Sequence, residues 1–384
     1  MSTLRVNTLQ NTSTTDGGIS INNSGHVTVD GVAMPSAGPL SNRNLIINGA
    51  MQVAQRGTSQ TSNGYGTVDR FFPSWSGGAV TTTQESLTSG DPYDEGFRNF
   101  ARLTNTTSAN GASNYRLLVQ RIEAQNVAKS GWNYTSATSY VTLSFWIRSS
   151  VSQAFSVRLR SEDGTNQNYP MSTGTLTADT WTKITKTIPG NSNLAFDNDN
   201  GRGLRVEFGA FWGGDFTSPT VTLDTWAEFD STARTTDMTN TWAGTTDATF
   251  DITGVQLEVG SVATPFEHRS YGDEFRKCLR YFQHYISSPN ANATYVAIGI
   301  AANSSSARFC MALVDPMRAT PSVTSTGCRA DDQLASPYTL SSPSINAGTI
   351  STLYLQFTSS GMTGGRAMQL IISGSESVSF SAEL

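Results

Sequence analysis

Seven short runs through the middle of this chain alternate apolar with polar residues: Arg98 to Leu103, Tyr115 to Ile122, Tyr140 to Arg148, Ala154 to Arg160, Trp181 to Ile188, Leu204 to Trp212 and Thr249 to Val259. Alternation sends successive side chains to opposite faces of a strand, so each run offers one apolar face to a core and one polar face outward. Runs of this length, divided by turn residues, specify an antiparallel double sheet. Val141 to Ser150 and Ala154 to Gly164 are expected to form a hairpin through Ser149 to Gln153. In the last run Phe250, Ile252, Val255, Leu257 and Val259 slip phase once, at Gly254, where a bulge or a close backbone approach is expected.

The flanking regions differ. Residues 1 to 42 hold only thin apolar groups (Leu4, Val6 and Leu9; Ile19 and Ile21; Val27 and Val29) punctuated by Asp16-Gly17-Gly18, Asn22 to Gly25 and Asp30-Gly31. Such a segment cannot bury a core alone; this opening resembles the N-terminal attachment segments of phage tail fibres, and the resemblance implies that it threads a homotrimer or attaches the chain to a particle. Pro35 to Pro39 reads as a linker. From Asp273 to Tyr285 apolar residues recur at helical spacing, and beyond about residue 286 the pattern returns to strands: Tyr295 to Ile300, Ala307 to Val314, Ser322 to Thr326, Leu353 to Phe357 and Ala367 to Ile372. The fold class expected is all-β: an attachment segment at 1–42, a jelly-roll sandwich at 43–267, and a short helix with a second β-sandwich at 268–384.

Charged residues make up only 14% of the chain, replaced by Ser, Thr, Asn and Gly, a mixture that favours strands and turns that meet water through hydroxyls and amides. A net charge of -5 argues against a general polyanion surface, so no nucleic-acid partner is expected. Among 25 basic residues only Lys129, Lys183, Lys186 and Lys277 are lysine, and arginine suits fixed pairing and stacking. Cys278, Cys310 and Cys328 have no metal-ligand or redox spacing and are expected to be free thiols. Met1 is followed by no basic, apolar leader, and no run approaches the roughly 18 apolar residues of a membrane span. No membrane insertion is expected, and synthesis in a cytoplasm is.

Several stretches carry a family resemblance. Ile252-Thr253-Gly254-Val255-Gln256-Leu257-Glu258-Val259-Gly260, then Ala263-Thr264-Pro265-Phe266-Glu267 and Arg280-Tyr281-Phe282-Gln283, resemble a junction common in phage tail fibre and other virion proteins. Asn44 to Met51, Gln55-Arg56-Gly57, Val68-Asp69-Arg70-Phe71, Asp315-Pro316-Met317-Arg318 and the ending Ser379 to Leu384 resemble parts of the same proteins. The family often has an aromatic residue where this chain has Ala54, and Trp where it has Phe71. The resemblance implies a jelly roll similar to a carbohydrate-binding module, followed by a terminal β-sandwich, in a structural and binding role on a virion.

No catalytic constellation emerges. His26, His268 and His284 stand in no HExxH or nucleophile motif, and the chain is expected not to be an enzyme. A glycan depolymerase needs two carboxylates about 5 to 9 Å apart; Asp224, Glu228 and Asp230 would serve if one strand carried all three on one face. Asp197-Asn198-Asp199-Asn200-Gly201 has oxygen ligands but lacks the full calcium loop and its terminal Glu, so no metal or other cofactor is assigned. Binding needs less. A flat aromatic beside amides, carboxylates or guanidinium stacks on a sugar ring and hydrogen-bonds its rim. Candidates off the strongest alternating runs are Trp75, Trp132, Tyr134, Trp212, Trp226 and Trp242, of which one or two are expected to contribute; Trp146 and Trp181 are expected in the core. The function expected is a trimeric tail fibre that adheres to host-surface polysaccharide and joins other tail or capsid proteins through residues 1–42. The alternatives are a non-adhesive virion component (head fibre, decoration or tail adaptor) and a depolymerase.

Overall fold

In a computed structural model, residues 8–9, 18–23, 25–35, 38–287, 293–334, 337–341 and 343–384 are described. Leu4, Val6, Asp16, Gly17, Ser24 and the linker residues Ser36 and Ala37 lie outside them. The chain forms two compact units, residues 1–269 with Leu384, and residues 270–383. Strand takes 45% of it and helix 7%, so the all-β class is what the alternating runs produce. Among the described residues no helix is long and apolar enough to cross a membrane.

The larger unit is a double sheet built from ten principal strands: β1 (Phe71–Ser76), β2 (Ala79–Ser86), β3 (Asn99–Thr107), β4 (Tyr115–Glu123), β5 (Tyr140–Ser149), β6 (Ala154–Ser161), β7 (Gln167–Thr175), β8 (Thr182–Pro189), β9 (Arg202–Trp212) and β10 (Thr249–Val259). The front sheet runs β8-β5-β10-β3-β2 with Ser59–Gln60 at its edge, and the back sheet runs β7-β6-β9-β4-β1 with Ala227–Glu228 at its edge. All these pairings are antiparallel. The inward residues meet as rings, with Phe145 against Phe208 at 4.9 Å and Phe155 against Phe250 at 5.1 Å, among buried aliphatics such as Leu143, Leu159, Val206 and Leu257.

Two expectations change here. β5 and β6 do not form a hairpin: β5 pairs with β8 and β10, whereas β6 pairs with β7 and β9. Each strand turns its apolar face to the same core from opposite sides, so residues 150–153 carry the chain between sheets. Trp146 is buried as expected, and Trp181 partly so, but in a second cluster rather than between the sheets. They pack with Phe100 on the outer face of the front sheet, where the Trp146 indole donates to Glu95 at 3.0 Å and the Arg148 guanidinium lies 4.7 Å from the Trp181 ring.

Gly254 sits at the expected bulge, with φ at +63° and the β5–β10 register shifting between Ser144 and Trp146. The stretch at 44–49 docks there. Asn44 Oδ1 accepts from the backbone N–H of Ile46 and Leu257, both at 3.0 Å, and Val255 N donates to Gly49 O at 2.9 Å. Glu267 accepts from the backbone N–H of Arg43 (3.2 Å) and Asn44 (3.0 Å), while Glu258 accepts from Thr264 N at 2.8 Å. Several of the residues that carry the family resemblance are therefore joined along β10 by buried and part-buried polar bonds.

Short strands Thr8–Leu9, Ile19–Ile21, Val27–Val29 and Val32–Ala33 form a small antiparallel sheet near the start of the chain. In the smaller unit the helix is Tyr271–Leu279, capped by the Ser270 hydroxyl accepting from Asp273 N. It ends six residues before the expected Tyr285, because Phe282–Ile286 alternates and pairs with Ser377–Ser381. That strand belongs to a three-stranded sheet beside a seven-stranded one, around a core that includes Phe309, Leu355, Phe357 and Phe380.

Candidate functional site

The outer face of the back sheet gathers the chemistry. In β6, Phe155, Val157 and Leu159 point inward, which turns Ser156, Arg158 and Arg160 outward; in β9, Leu204, Val206 and Phe208 point inward, which turns Arg205 and Glu207 outward. Register then aligns them in rows. Arg160 lies opposite Asn168 on one side and Arg205 on the other, and Arg205 lies opposite Arg121 of β4, so three arginines stand across three adjacent strands. The next row places Arg158 opposite Glu207, and Glu207 opposite Val119.

The loop between β9 and β10 folds over one end of this face. Arg234 N donates to Phe216 O, Asn168 Nδ2 to Arg234 O, and Phe229 N to Asn166 O. Rings and guanidinium groups interleave on this face: from the loop, Phe229 lies 3.6 Å from Arg160 and Phe216 4.5 Å from Arg234; from the strands, Arg158 lies 5.2 Å from Trp212 and Arg121 5.0 Å from Phe72. Arg158 and Glu207 are ion-paired at 1% side-chain exposure each, whereas Arg205 and Arg121 keep 14%.

Charge is not balanced across the face. Arg121, Arg158, Arg160, Arg205 and Arg234 share two carboxylates, Glu162 and Glu207. Glu162 takes Arg121 at 3.1 Å and Arg205 at 3.8 Å, and Glu207 takes Arg158 and Arg205. Arg121 also donates to the Leu384 carbonyl at 2.6 Å. Burial, then the nearby Arg158 guanidinium, pushes Arg234 below the ordinary arginine range; burial does the same to Arg160, with Arg158 adding to it. Burial alone would raise the Glu207 carboxyl, but Arg158 and Arg205 outweigh it and hold it below the usual carboxylate range. Nη1 of Arg158 and Nε of Arg160 are buried without a hydrogen-bond partner.

The aromatic candidates are scattered. Trp212 alone belongs to this face, buried against Tyr115 at 5.5 Å and Phe216 at 5.6 Å. Trp132, Trp226 and Trp242 are buried in the sandwich core, with indole N–H groups donating to Ser139 O, Pro189 O and Thr249 O. These four offer no free ring face to a sugar in this conformation, because packing has taken both sides. Tyr134 is half-buried against Phe196 at 4.9 Å, and Trp75 is half-buried on β1. The residues that sequence reasoning missed are the arginines. Alternation in Val157-Arg158-Leu159-Arg160 marks two of them for one face.

The other candidate groups serve local structure. Asp224, Glu228 and Asp230 do not share a strand, since the strand there is only Ala227–Glu228. Asp230 accepts from Thr232 N and Oγ1, both at 2.7 Å, and these bonds hold its carboxyl below the usual range. Asp199 Oδ1 accepts from Gly201 N at 2.8 Å, making an Asx turn. His26, His268 and His284 meet Ser261 Oγ, Glu95 O and Ser379 Oγ.

No family model matches the sequence. No curated protein matches it either. Among the solved structures with which parts of the chain align are the following three. One is the enzymatically active domain of tailspike protein 4 of bacteriophage CBA120, at 12% identity and a TM-score of 0.30, covering 56% of this chain and 21% of that one. The chain thus spans about a fifth of the tailspike's length. A family 11 carbohydrate-binding module from Clostridium thermocellum, solved with a β-1,3-1,4-mixed-linked tetrasaccharide, aligns at 8% identity and a TM-score of 0.25, over 54% of this chain and 98% of that one. The N-terminal cellulose-binding domain of Cellulomonas fimi β-1,4-glucanase C aligns at 8% identity and a TM-score of 0.28, over 55% and 99%.

Proposed function

We propose that this chain is a phage virion adhesion protein, a homotrimeric tail fibre that holds host-surface polysaccharide on the outer face of its back sheet and joins other virion proteins through residues 1–42. The observation that carries the reading is the row Arg160, Arg205 and Arg121 on one sheet face, interleaved with the rings of Phe229 and Phe72. Guanidinium groups donate several directed hydrogen bonds from a planar, weakly hydrated fork, and adjacent rings cover the apolar faces of a pyranose. The strands fix these groups before any ligand arrives, which lowers the ordering cost of binding. The resemblance of residues 44–71 and 252–283 to virion proteins supports placing that binding on a phage particle. Three weak sites on one fibre would raise retention on a polymer well above that of a single site.

The test is retention of the purified full chain on a panel of immobilised bacterial surface polysaccharides. Wild-type protein is expected to be retained on at least one, and Arg205→Gln to be retained markedly less on that same polymer. Retention on none, or equal retention of the variant, would reject this site.

A further inference from the structure

We infer that the sugar held on this face is anionic, carrying a carboxylate or sulfate that enters the row Arg160, Arg205 and Arg121. The inference rests on the glycan reading above and deepens it. Three arginines directly opposite one another on adjacent strands repel, an arrangement that costs stability unless anions lie among them. Among the described residues, the side-chain carboxylates of Glu162 and Glu207 are set among five guanidinium groups, so arginine outnumbers the acidic side chains on this face of a chain whose net charge is -5.

The placement of Glu207 sharpens the point. It is spent on Arg158, beneath the Trp212 ring, and on the Nε side of Arg205. Glu162 sits at the Arg121 end, 3.8 Å from Arg205. Arg160, at the other end, makes no ion pair within 4.0 Å with either carboxylate, and the attraction of Glu162 does not offset its burial and the nearby Arg158; its Nε has no hydrogen-bond partner, and its guanidinium is spread on Phe229, while Asn166 Oδ1 accepts from Nη2 at 2.8 Å once that amide is turned. Neutral hydroxyls satisfy donors but leave the charge excess untouched. An oxyanion on a sugar ring meets both needs through paired N–H···O bonds, about twice as strong as neutral ones. Phe229, half-exposed beside Arg160, gives the ring of that sugar an apolar surface.

The experiment measures binding of the full chain to polygalacturonate, alginate, hyaluronan and polysialic acid, each beside its carboxyl-reduced form, with dextran sulfate, neutral dextran and a single-stranded oligodeoxynucleotide. Reduction turns each carboxylate into a hydroxymethyl group on the same backbone. Retention of at least one acidic polymer is expected, weakened at least about tenfold by reduction, as loss of a charged hydrogen-bond partner implies. Retention of dextran sulfate as well would widen the anion to sulfate within the same inference. Arg160→Gln should lower binding by a similar factor while melting like wild type, Arg205→Gln should lower binding as well but also melt lower because it holds buried Glu207, and Lys186→Gln, on the front sheet, should leave binding unchanged.

Equal binding to acidic and reduced forms would overturn the anionic inference and leave glycan adhesion standing. So would retention of surface polysaccharides in the preceding panel with none of the acidic polymers bound. Failure in both panels would overturn both readings. An oligonucleotide held as tightly as the acidic glycans would make the face a nucleic-acid site and overturn the sugar assignment.

Discussion

At Gly254 the backbone takes φ +63°, and an added Cβ would lie 2.8 Å from Phe97 Cζ and 3.1 Å from Trp146 Cδ1. Both rings are buried, so neither can retreat cheaply. Gly254→Ala is therefore expected to destabilise the protein by on the order of 2 kcal/mol, combining strain in the left-handed region with overpacking. Gly214, with open space around it and no such φ, provides the comparison: Gly214→Ala should stay within about 0.5 kcal/mol of wild type in the same urea titration. Similar shifts for both would mean that the bulge does not need glycine. Nearby, buried Asp251 accepts from Arg102 Nε at 2.8 Å and from Arg148 Nη2 at 2.8 Å, and that bond with Asp251 is the largest influence raising Arg102 above its ordinary value. Both arginines stay about a quarter exposed, so water recovers part of the loss. Asp251→Ala should cost about 1–3 kcal/mol, below the range for a fully buried pair; an unchanged urea midpoint would show that the bridge contributes nothing.

Between strands, charge makes the sandwich sensitive to acid. Arg158 and Arg205 hold Glu207 below the usual range against its burial, and backbone N–H groups of Asn44 and Arg43 with Arg269 do the same for Glu267. In each case the unfolded chain takes up a proton near pH 4.3 while the folded chain still refuses it. Stability from these carboxylates is thus fully present above that pH and is lost as pH falls through the lower folded value. The melting temperature should fall between about pH 5 and pH 3, and Glu207→Gln should start lower at pH 7 but fall less steeply. A wild-type curve flat down to pH 3, or a variant curve parallel to it, would count against this account. The strands involved are legible in the sequence because each buries one face, and Val157-Arg158-Leu159-Arg160 even announces its outward arginines. Which sheet a strand joins is not legible: β5 and β6 follow one another with good alternation yet lie in different sheets. Register hides the rest, since Arg205 and Arg121 reach Arg160 only through pairings between distant segments. The tryptophans mislead for another reason. An indole outside an alternating run fits a buried plug as well as an exposed platform, and Trp132, Trp226 and Trp242 each find a carbonyl that lets them be buried.

For the whole molecule, the segment before the sandwich raises the question of assembly. Its strands are two or three residues long, and aliphatic side chains such as Leu9, at 57% exposure, and Val32 remain in water in a single copy. Strands this short are marginal by themselves, and three copies winding together would cover those side chains. Light scattering on the purified full chain should therefore give three times 41.2 kDa, about 124 kDa. Removing residues 1–42 should return the particle to one chain mass, because the surface lost is the one that three copies would share. A trimer that survives truncation would move assembly to residues 270–383 and leave the first segment free for the attachment role proposed for it. A monomer with and without the segment would refute an autonomous trimer. The avidity argument for adhesion would then fall with it, since one weakly binding face per particle gives no multiplication of contacts on a host polysaccharide.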